Sequence, residues 1–157
     1  MRINILLIIA FLSGHKGLSQ TANVCDFPYL SQIIKPDTDT IKVVNFWATW
    51  CRPCVEELKY FKQATEAYKG KKVKFIFVSL DFSSQKNKVD EFLKKKNING
   101  FFYILTSNPN EWINKIDPDW AGDIPYTFAV YTTGRTAKIS KSIDSYDELD
   151  ALIRNQF

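Results

Sequence analysis

Two cysteines three positions apart, Cys51 and Cys54, lie in the run Trp50-Cys51-Arg52-Pro53-Cys54. A thiolate is both a nucleophile and a metal ligand, so the spacing admits three chemistries. The pair can cycle between dithiol and disulfide, it can supply half of a structural zinc site, or it can form an inert crosslink. Zinc needs four ligands, and only Cys25 and His15 remain to complete them. An exposed junction flanked by Trp50 and Arg52 is a poor place for an inert crosslink. Redox cycling is the reading these residues favour.

The elements around the pair support it. Residues 41–48 are β-branched and aromatic, the composition of a buried strand. From Cys51 the period changes, with Cys54, Leu58, Phe61, Thr65 and Tyr68 recurring at three- and four-residue steps on one face of a helix ending at Gly70. Cys51 therefore belongs at a helix N-terminus, where unpaired N–H groups and the macrodipole favour negative charge, and Arg52 adds a nearby positive charge. Pro53 falls in the first turn, where its missing N–H costs little. Cys54 points inward, which makes Cys51 the attacking thiolate and Cys54 the shielded resolving thiol.

The rest of the pattern predicts one α/β domain. Residues 73–80 read as a central strand, Val89, Phe92 and Leu93 as a second helix, and 101–105 as a third strand. Helical turns at 111–116 follow, then a hairpin of 127–131 and 136–140. A last helix opens at the Ser145/Glu148 capping box with Leu149, Leu152 and Ile153 inward. A short helix is expected over 29–35, and 20–26 reads as polar and loose. The sum is a mixed central β-sheet flanked by helices on both faces. The lysines at 86, 88, 94, 95 and 96 read as a solvated helix face.

The N-terminus predicts export. Arg2 is followed by an apolar stretch to Leu12, then by small and polar residues ending Gly17-Leu18-Ser19. That is the pattern of a secretory signal peptide, so residues 1–19 read as the signal and 20–157 as the domain, in an extracytoplasmic or periplasmic setting. An uncleaved membrane anchor is the lesser alternative, because so few apolar residues span a bilayer poorly. Removing Arg2 and Lys16 leaves 19 basic residues against 17 acidic ones. So even a balance excludes a nucleic-acid binder on charge.

Residues 44–54, Val-Asn-Phe-Trp-Ala-Thr-Trp-Cys-Arg-Pro-Cys, resemble the active-site segment of the thioredoxin superfamily, above all its exported TlpA/ResA-like branch. A second matching motif is Gly122-Asp123-Ile124-Pro125-Tyr126-Thr127-Phe128, ahead of Gly134-Arg135. The resemblance implies a thioredoxin fold with a helical insertion around 81–99, between the second and third strands. It implies Cys51 as nucleophile, Cys54 as resolving thiol and Pro125 as a cis-proline, with Trp50, Arg52, Pro53, Ile124 and Pro125 contacting substrate. It also implies a thiol–disulfide oxidoreductase without metal or cofactor, acting on cysteine-containing exported proteins as a monomer. The direction favoured is reduction, as in cytochrome c maturation or extracytoplasmic disulfide reduction, with electrons from a membrane-embedded thiol reductase.

Two departures from the family stand out. Asn45 occupies the place of thioredoxin's buried Asp, which leaves Asp81 as a candidate substitute acid, although a turn or capping role suits Asp81 better. Lys59 replaces a helix-bending proline, so the first long helix is expected to run straighter. Cys25 reads as a free, incidental thiol. The competing functions are a peroxiredoxin-type thiol peroxidase and a non-catalytic thioredoxin-fold binding module. Ala48-Thr49-Trp50-Cys51 lacks the Thr-x-x-Cys spacing of the first, and the intact cysteine pair argues against the second.

Overall fold

The computed structural model describes residues 20–154; the expected signal segment, 1–19, lies outside them. Six strands make one mixed sheet. They are β1 (Asn23–Cys25), β2 (Ile41–Trp47), β3 (Val73–Ser79), β4 (Phe101–Leu105), β5 (Tyr126–Val130) and β6 (Thr136–Ile139), in the order β1-β4-β3-β2-β5-β6. The first four run parallel, and β5 and β6 add antiparallel on the far side of β2. β2 is central and buried on both faces. Val43 and Trp47 enter one core layer, Val44 and Phe46 the other, which is why the strand reads as a continuous apolar run.

Among the described residues five helices cover the sheet: α1 (Phe27–Ile33), α2 (Arg52–Ala67), α3 (Lys86–Lys96), α4 (Pro109–Ile116) and α5 (Tyr146–Ile153). Leu58 and Phe61 of α2, Val89 and Leu93 of α3, and Leu149 and Leu152 of α5 fill one layer. Leu30 of α1 and Trp112 of α4 fill the other. That second layer is aromatic, with Trp120 stacked on Tyr126 at 4.2 Å and Phe46 on Trp112 at 5.3 Å between ring centres. Trp120 Nε1 also donates to Asp123 O at 2.8 Å. The aromatic layer thus holds the loop that leads into β5.

Two sequence expectations change. Residues 20–26 are not loose: they contain β1, which pairs in parallel with β4, and Ala22 N donates to the Asp90 carboxylate at 2.8 Å. Three residues are too few to show a period, and edge pairing decides their state. The first helix starts at Phe27, not at 29, because Asp26 caps it by accepting from Tyr29 N. The expected second and third strands are β3 and β4. A 3₁₀ turn (Ser83–Gln85) and α3 form the crossover between them, of the kind that parallel neighbours require, in the place where a helical insertion was expected. α2 runs unbroken for 16 residues with Lys59 inside it.

Candidate active site

The pair sits where β2 ends and α2 begins. Cys51 N donates to Ala48 O at 3.1 Å, closing a turn after the strand. Cys51 is the N-cap of α2, and its Sγ accepts from Cys54 N at 3.3 Å. Cys51 and Cys54 are joined as a disulfide, with Cα atoms 5.3 Å apart. Cys51 keeps 6% exposure and Cys54 none, so of the two only Cys51 retains any accessible surface. A thiolate at Cys51 would occupy the cap position, receiving the Cys54 N–H and the positive end of the helix dipole.

Contacts distant in sequence hold the segment around the sulfur on two sides. On the β5 side, Cys51 Sγ lies 3.7 Å from Ile124 O, and the Ile124–Pro125 peptide bond is cis. On the β3 side, the buried Asp81 carboxylate ties the loop down. It accepts from Thr49 N at 2.9 Å, Thr49 Oγ1 at 2.6 Å and Ser79 Oγ at 2.7 Å. Asp81 therefore holds the loop before Cys51 with three accepted hydrogen bonds, which is the turn-forming role expected of it.

The acid inside the site is Glu57, which the sequence pattern does not single out. It is 1% exposed and follows Cys54 by three residues, so both point inward from neighbouring positions of α2. Glu57 Oε1 accepts from Asn45 Nδ2 at 2.9 Å, and Oε2 accepts from Ile143 N at 2.8 Å. Asn45 also donates to Thr127 Oγ1 at 3.0 Å. Burial pushes the Glu57 carboxyl up to about 7, against the opposing pull of the bonds from Ile143, Asn45 and Ser142. The signal in the sequence was its place in the inward period of Cys54, Leu58 and Phe61, where a charged residue is out of character.

The other expected site residues are placed as follows. Trp50 is 63% exposed beside Cys51. Pro53 lies in the first turn of α2. Arg52 is exposed and turns along the helix to Glu56, Nε to Oε1 at 2.8 Å. Its charge is thus shared with a carboxylate, which weakens the help expected from it at Cys51. Trp47 is buried against Phe92, with ring centres 5.4 Å apart. Cys25 is not brought to the pair. It is a free, buried thiol on the edge strand β1, and burial, aided by Asp26, pushes it up to about 11. Among the described residues no group of His, Cys, Asp or Glu side chains is arranged to hold a metal ion.

The Redoxin family matches residues 37–152, a span that takes in every residue of this site. The chain belongs to the Redoxin family. Thiol-disulfide oxidoreductase ResA of Oceanobacillus iheyensis is 26% identical over 113 residues, covering 72% of this chain and 55% of the relative. Sporulation thiol-disulfide oxidoreductase A of Bacillus subtilis is 33% identical over 111 residues, covering 67% of each. The chain spans about half the length of several ResA relatives that it matches. A thioredoxin-related protein from Neisseria meningitidis serogroup B superposes with a TM-score of 0.64 at 21% identity, covering 74% of this chain and 84% of that one. StoA from Bacillus subtilis superposes with a TM-score of 0.56 at 24% identity, covering 74% and 84%. The architecture is the thioredoxin fold, of the TlpA/ResA-like kind.

Proposed function

We infer that this protein is a thiol–disulfide oxidoreductase acting on the cysteines of other proteins, and that it works as a reductant. The observation that carries the reading is the unequal pair: Cys51 at a helix N-cap with 6% exposure, Cys54 one turn deeper and fully buried. In the reduced protein the Cys51 thiolate attacks one sulfur of a substrate disulfide, and the other substrate sulfur leaves as a thiolate. Cys54 then loses its proton and attacks the Cys51 sulfur of the mixed disulfide, releasing the second substrate thiolate. Two electrons pass to the substrate and the Cys51–Cys54 disulfide remains. Ionised Glu57, next inward on α2, takes up the Cys54 proton in the second step. Ile124 and Pro125 form one wall of the substrate channel, and Trp50, Arg52 and Pro53 its rim.

The printed activity of the relatives, thiol-disulfide oxidoreductase, supports disulfide exchange, and the reductive direction follows the resemblance of residues 44–54 to the exported TlpA/ResA-like branch. It calls for an electron donor that re-reduces the pair, for which a membrane-embedded thiol reductase is the proposed class. The substrates proposed are cysteine-containing exported proteins. An extracytoplasmic location is supported by the sequence of residues 1–19. Among the described residues no helix is long and apolar enough to cross a membrane. The test is reduction of insulin disulfides with a dithiol donor, paired with the equilibrium potential against glutathione. Activity lost in Cys51→Ser is the expected result. An inactive wild-type protein, or peroxide consumption without disulfide exchange, would overturn the reading.

A further inference from the structure

Among the described residues the most exposed large apolar side chains are Phe82, at 78%, and Trp50, at 63%. They follow directly the two residues that the Asp81 carboxylate joins: Thr49, which donates to it twice, and Asp81 itself. The two aromatics are thus set on one braced frame beside Cys51. Two large apolar side chains left bare on neighbouring, mutually braced loops suit a surface that receives a partner. Behind Phe82 lies a groove of about 280 Å³, with Leu80, Leu105 and Trp112 among its apolar lining and Ser83, Thr106 and Asn108 among its polar residues. Pockets that take whole small molecules run to about 300–1,000 Å³, so this one suits a single large side chain.

The occupant follows from the position of the sulfur. A polypeptide whose disulfide reaches Cys51 and which extends away from the Ile124 carbonyl crosses the carboxyl ends of β2, β3 and β4, in the strand order of the sheet. That path runs over Trp50 and then Phe82. We propose that Phe82, with the groove behind it, is a specificity subsite that takes a large apolar side chain of the substrate polypeptide, near its reacting cysteine and on the side away from Ile124. The proposal rests on the oxidoreductase reading above. It makes the enzyme selective for cysteines flanked by Leu, Phe or Met over those flanked by Lys or Asp.

The experiment uses synthetic peptides carrying one cysteine as a mixed disulfide with glutathione. They differ only in having Leu, Phe, Ala, Lys or Asp at the flanking positions, and oxidised glutathione serves as the small reference disulfide. Wild-type kcat/KM should favour Leu and Phe over Lys and Asp by about tenfold or more, the discrimination that filling an apolar pocket supplies. Phe82→Ala should bring that ratio close to one, mainly by raising KM for the apolar peptides. Its far-UV circular dichroism should be unchanged, since an exposed side chain supports no core. Equal rates on all peptides in the wild type, or a preference that survives in Phe82→Ala, would overturn the subsite and leave the oxidoreductase reading standing. Failure to exchange with any disulfide, oxidised glutathione included, would overturn that reading and the subsite with it.

Discussion

Cys51 and Cys54 share one helical turn but not one environment, and the difference assigns their roles. The Cys51 sulfur accepts the Cys54 N–H at the head of α2, while Cys54 is sealed beneath it. In the reduced protein Cys51 should therefore alkylate with an apparent pKa below the value of about 8.5 for a free cysteine, measured with iodoacetamide against pH. A value at or above about 8.5 would remove the basis for naming it the nucleophile. Cys25, buried and pushed the other way, should alkylate far more slowly in the same experiment. Replacing Cys54 with Ser should trap substrate proteins on Cys51 as mixed disulfides on non-reducing gels, and replacing Cys51 with Ser should trap none. Equal trapping by both variants, or trapping that needs Cys25, would reverse the assignment. The cysteines were legible because strand composition and helical period bracket them. Glu57 was not, because pattern reading looks for the absent acid at Asn45, on the strand, whereas the carboxylate reaches the same spot from α2.

At the scale of elements, the site is a meeting of three loops that follow β2, follow β3 and precede β5, and each is held by a contact distant in sequence. The loop before β5 depends on Gly122, whose φ of +91° places it in the left-handed region. A Cβ there would also meet Ile113 Cδ1 at 2.7 Å. Gly122→Ala should cost roughly 1–2 kcal/mol of stability, the left-handed penalty, if the Ile113 side chain moves aside. It should also shift Ile124 relative to Cys51, so that urea unfolding and insulin reduction suffer together. Unchanged activity with reduced stability would show that the loop keeps its place without the glycine. The long, periodic elements β2, α2, β3 and α5 could be read from the sequence, since each has a whole apolar face or run to declare itself. β1 could not. Its strand state comes from pairing with β4 and from the Ala22–Asp90 bond, neither of which is a local property.

At the scale of the whole molecule, the site leaves its mark on stability. Glu57 ordinarily titrates near 4.5 and is held at about 7 in the fold, so between these values the folded state binds the extra proton. Stability must then fall as pH rises through that window. The full difference is about 3 kcal/mol, since a tenfold change in proton affinity corresponds to roughly 1.4 kcal/mol. Asp117 acts with the opposite sign. The Lys138 ammonium and the Tyr126 hydroxyl hold it down at about 2, so its stabilisation is present above its ordinary 3.8 and is lost as pH falls toward 2. Between the two groups the oxidised protein should be most stable near pH 4–5, at the acid edge of the usual range of about 5–8. The one histidine of the sequence, His15, lies outside the described residues, so no described imidazole competes in the window. Urea unfolding of the oxidised protein at pH 4.5, 6, 7 and 8 should show the decline, and Glu57→Gln should flatten it. Flat or rising stability over this range in the wild type, or a slope retained in the variant, would show that Glu57 is ionised in the fold. Its carboxylate would then be too weak a base to take the Cys54 proton efficiently near neutral pH.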